Sequence, residues 1–208
     1  RGSPEIAETI KSVKETWMSA WAPKLTSDEI PINPYRVVWD LMHSLDRKNT
    51  VVTHESGNPR DQIVPFYEAL VPHGYMGWGK STQLGTSLGL AMGAKLAKPD
   101  WLSVNIMGDS AFGMVGMDFE TAVRSRLPIM TVILNNRVMG GYAHHLPVAT
   151  EKYRTNELSG DYAKVGEGLG GSFYLLPGDC RSSSDFLFRA RWYSSVGWLV
   201  RKVCGVPC

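Results

Sequence analysis

Two short motifs carry the residues best suited to chemistry. Gly108-Asp109-Ser110 closes one apolar run, Leu102–Met107, and Asn135-Asn136 closes the next, Pro128–Leu134. A helix-like stretch over Phe112–Arg124 separates them. Strand, helix and strand make a βαβ unit with a right-handed crossover. In an open parallel sheet, ligands bind beyond the carboxyl ends of the strands. If the two strands are neighbours, Asp109 and Asn136 stand about 5 Å apart there. One carboxylate and one carboxamide suit a hard divalent cation. Mg²⁺ takes about six oxygens, commonly one or two from protein and the rest from phosphate and water. The loop after Asp109 also opens a helix, whose N–H groups and dipole favour an anion.

Each motif has an ordinary reading when taken singly. Gly-Asp-Ser is a common turn with Asp109 as a helix cap, and Asn-Asn after a strand is a common turn. It is their joint placement that points to a metal. Other phosphate-binding folds fit less well. Gly108-Asp-Ser-Ala-Phe-Gly113 lacks the middle glycine of the dinucleotide fingerprint, and no P-loop lysine follows. A metal phosphohydrolase would need a nucleophilic aspartate at the end of the first strand, where Thr53-His54-Glu55 offers none.

The elements that must position these residues can be read along the chain. Residues 4–21 have a helical period with Trp17 and Trp21 on one face. Pro23, Pro31 and Pro34 mark 22–34 as a linker. Asn33-Pro34 caps a helix over 35–45 with Val37, Val38, Leu41 and Met42 inward. Thr50–Thr53 is a short strand, Ser56-Gly57-Asn58-Pro59 a turn, and 60–70 a helix. Residues 81–97 form a helix with glycine at 85, 89 and 93. Glycine there costs about 1 kcal/mol per residue in helix propensity, and is explained by close approach of another element or a ligand. Residues 137–160 read as loop and Asp161–Leu169 as helix.

Bulk properties bound the answer. The chain has 208 residues, enough for one substantial core. With 43% hydrophobic and 20% charged residues it is an ordinary globular composition. No apolar run reaches the roughly 18 residues of a membrane span. A net charge of +2 gives no reason to expect nucleic acid. No signal-peptide pattern opens the chain, so a cytoplasmic, reducing setting is the expectation. The start at Arg1 reads as a fragment or a processed chain. The last stretch differs in composition. Residues 172–208 hold five basic residues, two acids and all three cysteines, Cys180, Cys204 and Cys208. The cysteines show no zinc-ligand spacing.

A wider set of residues carries a family resemblance. Gly108-Asp109-Ser110-Ala111-Phe112-Gly113-Met114, Phe119-Glu120-Thr121-Ala122, Leu127-Pro128-Ile129 and Ile133-Leu134-Asn135-Asn136 stand in order, with Gly89–Asp100 upstream. Over roughly residues 32–171 the chain resembles the C-terminal, diphosphate-binding domain of thiamine-diphosphate-dependent enzymes, in the acetolactate synthase-like branch. The resemblance implies a three-layer α/β/α fold, with an open, mostly parallel sheet and helices on both faces. It implies thiamine diphosphate and Mg²⁺ as cofactors. Asp109 and Asn136 would ligate Mg²⁺ by side chain and Val138 by its carbonyl. Gly108, Ser110, Ala111, Met139, Gly140 and Asn58 would face the diphosphate, alongside Asn136. Leu84 would be the bulky residue beneath the cofactor, with an ordinary core leucine as the competing reading.

The implied function is one module of a 2-oxo acid decarboxylase or carboligase, acting on a small 2-oxo acid or acyl substrate in a homo-oligomer. A relative acting on 2-hydroxyacyl-CoA or oxalyl-CoA is an alternative. A non-catalytic remnant or interaction module that keeps the fold is another. The family's activating glutamate sits in a separate domain, so the fragment is expected to be inactive alone. Glu55 is a poor substitute, lying on the phosphate side. Residues 1–31 would be a connecting segment. Residues 172–208 depart from the strand, helix and strand that the family pattern expects, and read as non-native or as a lineage-specific extension, with Trp192–Val203 a short element. His144 and His145 could orient substrate or move protons, or form a solvated loop pair.

Overall fold

The computed structural model describes residues 3–77, 83–175 and 185–190. The three cysteines and Trp192–Val203 lie outside them.

Helix α1 (Pro4–Leu25) begins at Ser3, whose side chain accepts from the Glu5 N–H. It runs through Pro23, where the sequence suggested a break. Pro23 falls in the last turn and removes one backbone donor. What holds that turn helical is packing. The Trp21 ring sits 4.9 Å from Tyr35 and 5.2 Å from Phe66, and Leu25 beyond the proline is buried. The far half of α1 leaves Ile6, Ile10 and Val13 exposed.

Helix α2 (Pro34–Ser44) is capped as expected, with the Asn33 side chain accepting from the Tyr35 N–H at 3.0 Å. Strand β1 (Thr50–His54) is buried throughout. Helix α3 (Asn58–Ile63) starts earlier and ends sooner than the expected 60–70, because Pro65 cannot donate to continue it. Strand β2 (Tyr75–Met76) follows.

Helix α4 (Thr86–Ala97) begins after Gly85, whose left-handed φ of +97° sets its start. A Cβ added at Gly89 or Gly93 would meet nothing within 4 Å. Close packing therefore does not account for those two glycines, and nothing in the described residues does.

Strand β3 (Leu102–Gly108) leads into α5 (Asp109–Val115) and α6 (Asp118–Arg124). The single helix expected over 112–124 is broken at Gly116, whose N–H closes tightly on the Phe112 carbonyl at 2.6 Å. After β4 (Ile129–Leu134), the expected loop contains α7 (Tyr142–His145) and α8 (Pro147–Tyr153). Helix α9 (Tyr162–Gly168) precedes β5 (Gly171–Leu175) and β6 (Asp185–Ala190).

The six strands form one sheet in the order β2-β1-β3-β4-β6-β5. Strands β2, β1, β3 and β4 are parallel, and β6 runs antiparallel to both β4 and β5. Parts of the compositionally distinct tail thus lie in the sheet.

The central strands send alternate residues into two cores. Val104, Ile106, Met130, Val132 and Leu134 pack with Leu25, Val37, Leu41 and Ile63 from α1, α2 and α3. Met107, Ile129 and Ile133 pack with Leu88, Phe112, Phe119 and Ala163 from α4, α5, α6 and α9. This is the expected three-layer α/β/α arrangement. The second face is partly polar, against the near-continuous apolar run read over Leu102–Met107. Ser103 and Asn105 on β3 and Thr53 on β1 are buried there. Ser103 Oγ donates to the Ala91 carbonyl at 2.8 Å and Thr53 Oγ1 to the Ser87 carbonyl at 3.0 Å, both on α4. Among the described residues no helix is long and apolar enough to cross a membrane.

Candidate functional site

Strands β3 and β4 are hydrogen-bonded neighbours, with Gly108 opposite Leu134. Their carboxyl ends therefore deliver Asp109 and Asn135-Asn136 side by side. Asp109 is 2% exposed. Its Oδ1 accepts from the Ser110 N–H at 2.9 Å and its Oδ2 from the Arg137 N–H at 2.7 Å. Burial pushes its carboxyl above the ordinary value, and those two N–H groups oppose the shift. A cation beside a buried carboxylate favours its charged form. The N–H of Ser110, which helix-end reasoning left open for an anion, is thus used by Asp109 itself.

The second loop is shaped by its own side chains. Asn136 Oδ1 accepts from the Val138 N–H at 3.0 Å, an Asx turn. Arg137 between them is left-handed at φ 59°. The loop is fastened outward as well. Met139 N–H donates to the Asn156 carbonyl at 2.7 Å and Leu158 N–H to the Arg137 carbonyl at 2.9 Å.

The β1 loop closes the third side. A Cβ built on Gly140 would lie 3.7 Å from Asn58 Nδ2, and one on Gly108 would lie 3.7 Å from Pro59 Cγ. The β1 loop thus stands about one methyl group away from Gly140 and from Gly108. The three loops enclose a cavity of about 710 Å³, a size that fits a cofactor. Its walls include Asn58, Leu84, Gly108, Asp109, Ser110, Ala111, Asn136, Val138, Met139 and Gly140. Every residue expected from the sequence to hold the metal or the cofactor lines it. Leu84 is half-buried and also packs against the second core, so its two readings are compatible.

Some wall residues were not foreseen: Asn33, Arg60, Gln62 and Tyr142 line the cavity too, alongside the expected His145. Asn33 and Gln62 come from a linker and a short helix, where no local pattern marks them as ligand-facing. His144 is not among the lining residues, and both histidines are exposed. Glu55 does not line the cavity either. Its carboxylate is buried against α4, accepting from Ser87 Oγ at 2.8 Å.

The donor set can be tested against a Mg²⁺-diphosphate. Among the described residues, no three His, Cys, Asp or Glu side chains converge on a metal position. A cation here would rely on one carboxylate, one carboxamide oxygen and backbone carbonyls, with phosphate oxygens completing it. That is an all-oxygen set suited to Mg²⁺. The wall also holds a spare donor. Asn135 is 1% exposed and its Nδ2 has no hydrogen-bond partner among the described residues. A buried, unpaired N–H of this kind is costly unless something accepts from it. The residues fit the group.

An α/β/α sheet with an oxygen-donor cleft at the carboxyl ends of adjacent parallel strands defines a cofactor-binding domain. The family model described as "Thiamine pyrophosphate enzyme, C-terminal TPP binding domain" matches residues 55–186, and the chain belongs to that family. Its members use thiamine diphosphate with Mg²⁺. The chain is 31% identical over 180 residues to a 2-hydroxyacyl-CoA lyase of Oryza sativa, covering 81% of this chain and 31% of that protein. It is 31% identical over 147 residues to a probable acetolactate synthase large subunit of Methanocaldococcus jannaschii, covering 65% and 25%. It is 34% identical over 121 residues to the acetolactate synthase large subunit IlvG of Mycobacterium tuberculosis, covering 58% and 22%. The chain thus spans a third or less of the length of these relatives.

Proposed function

We propose that this chain is the Mg²⁺- and thiamine-diphosphate-binding module of a 2-oxo acid decarboxylase or carboligase, most like the acetolactate synthase large subunit. The observation that carries the reading is that Asp109, Asn136 and Val138 line one cavity together with Asn58 and Gly140. Asp109, Asn136 and the Val138 carbonyl hold the metal. Gly108, Ser110, Ala111, Met139, Gly140 and Asn58 surround the diphosphate, and Leu84 supports the rings. When bound, thiamine diphosphate supplies a carbon nucleophile and an electron sink for a breaking carbon–carbon bond.

The protein's own contribution is orientation. The Arg137 N–H holds the Asp109 carboxylate in place, and the Asx turn of Asn136 aims the Val138 backbone. The activating carboxylate is assigned outside residues 32–171, because no glutamate of that stretch is among the cavity walls and Glu55 is committed to α4. The homo-oligomer and the small 2-oxo acid or acyl substrate belong to the same proposal. So does the division into a connecting segment over 1–31, the site-bearing domain over 32–171 and a distinct tail over 172–208. A 2-hydroxyacyl-CoA substrate is the second reading, because the rice relative that aligns over 180 residues is named a 2-hydroxyacyl-CoA lyase.

Calorimetry with thiamine diphosphate and Mg²⁺ tests the reading. Binding to the wild type that is lost in Asp109→Ala supports it. No binding by the wild type, even with a pyrimidine-binding domain supplied in trans, would leave the non-catalytic module as the function.

A further inference from the structure

We propose that Glu55 is a positioning residue that fixes Leu84 relative to the diphosphate loops, an inference that rests on the cofactor reading above. Glu55 follows β1 and is 0% exposed. Its own N–H donates to the Ile106 carbonyl at 2.8 Å, so the sheet sets where its side chain starts.

The carboxylate reaches the first turn of α4. Oε2 accepts from Ser87 Oγ at 2.8 Å and from the Ser87 N–H at 3.4 Å. Oε1 accepts from Thr86 Oγ1 at 3.4 Å and from the Ser56 N–H at 3.3 Å. Helix α4 needs such a partner. Its N-cap is Gly85, which has no side chain to receive the first-turn N–H groups. A negative charge at the start of this twelve-residue helix is also favoured by its dipole. Among the described residues no ion pair reaches Glu55, so the helix start and its hydroxyls are the partners of this buried carboxyl.

The consequence is geometric. Ser56, Gly57 and Asn58, immediately after Glu55, line the cavity, and so does Leu84, immediately before Gly85. One buried carboxylate therefore ties the β1 diphosphate loop to the corner that carries Leu84. The corner is pressed from the other side by α5, since a Cβ on Gly85 would lie 2.5 Å from Val115 Cγ1. With the Glu55 contact to α4 weakened, the loops after β3 and β4 keep their own fastening through Asp109 and Arg137. The Leu84 corner loses its anchor.

This separation gives the test. Affinity is measured by calorimetry for two probes in the presence of Mg²⁺: inorganic diphosphate, which lacks the rings, and thiamine diphosphate. The variants are Glu55→Gln, which keeps the shape and removes the charge, and Ser87→Ala, which removes a donor and keeps the charge. Hydrogen bonds to a charged group are of a size that moves affinity about tenfold. Thiamine diphosphate affinity should therefore fall about tenfold in each variant, while inorganic diphosphate stays within about twofold. Thermal unfolding by circular dichroism confirms that each variant is folded, and Ser87→Ala carries the test if Glu55→Gln is not. Equal losses for both probes, or no loss for either, would overturn the positioning role and leave the cofactor reading standing. A wild type that binds neither probe would overturn both.

Discussion

The backbone N–H of Arg137 donates to the Asp109 carboxylate at 2.7 Å, fastening the loop after β4 to the end of β3. Arg137 holds a left-handed φ of 59° to do so. Its contribution is therefore its backbone, since the exposed side chain is not among the cavity walls. Arg137→Gly should keep the N–H, relieve a left-handed strain of about 1 kcal/mol, and leave Mg²⁺-dependent cofactor affinity within about threefold. Arg137→Pro should remove the N–H and forbid the φ. It should cost roughly 2–4 kcal/mol in stability and abolish binding. Urea denaturation and calorimetry on the two variants check this. Equal effects from glycine and proline would show that the guanidinium matters instead.

Asn136 is expected to serve through one oxygen. Its Oδ1 already accepts from the Val138 N–H at 3.0 Å, and a carbonyl oxygen has a second lone pair free for a metal. Asn136→Asp keeps that oxygen and the turn, so Mg²⁺-dependent binding should persist. Asn136→Leu removes both and should weaken it by roughly 10–100-fold, the scale of a charge-assisted contact. Removing Mg²⁺ with a chelator should weaken the wild type and Asn136→Asp, and leave Asn136→Leu little changed. Calorimetry with and without chelator reads all three, and full binding by the leucine variant would exclude Asn136 as a ligand.

The parts of the site legible in the sequence are those fixed by local rules. Two apolar runs, each followed by polar turn residues, placed Asp109 and Asn136 at strand ends, and Asn33-Pro34 announced α2. The parts that were not legible depend on distant contacts or on very short helices. Helix α1 passes Pro23 because Trp21 and Leu25 find partners across the fold, which helix signals around a proline do not reveal. Helices α7 and α8 bury no residue, so no apolar period marks them within 137–160. The contact of Glu55 with Ser87 joins residues 32 apart, and neither residue has a local pattern that points to the other. A buried acid directly after an apolar strand, and a hydroxyl pair directly after a glycine, are the signals that could have suggested it.

Acid should loosen the attachment of α1. Glu68 accepts from Lys14 on α1 and from Arg47, at 3.3 Å for the latter. The Lys14 bond, and then Arg47, hold its carboxyl below the usual 4.5. A depressed acid contributes stability above its unfolded value and loses it as pH falls through the folded one. The wild type should therefore exceed Glu68→Gln by no more than about 1 kcal/mol near neutral pH, because the pair is half-exposed and screened. The difference should shrink as pH drops below 4.5 and should also shrink in high salt. Urea denaturation across that range measures it, and a difference independent of both pH and salt would show that Glu68 acts by packing alone.

Gly85 joins the helix that carries Asp109 to the corner that carries Leu84, so a methyl group there should be felt in both. At φ +97° an L-residue is strained, and its Cβ would lie 2.5 Å from Val115 Cγ1 at the end of α5. Gly85→Ala should lose roughly 1–2 kcal/mol from the backbone and about 1–3 kcal/mol from overpacking. The two terms separate in a double-mutant cycle. On a Val115→Ala background the collision is removed and only the backbone term remains, so the second substitution should cost less there by about 1 kcal/mol or more. Cofactor affinity supplies the functional half of the argument. If the collision is relieved by a shift of α5, Asp109 at its first turn moves and Mg²⁺-dependent inorganic diphosphate binding falls. If the Leu84 corner yields instead, inorganic diphosphate binding is kept and only the preference for thiamine diphosphate is lost. Additive stability losses in the cycle would mean that Gly85 and Val115 do not touch in a way that matters.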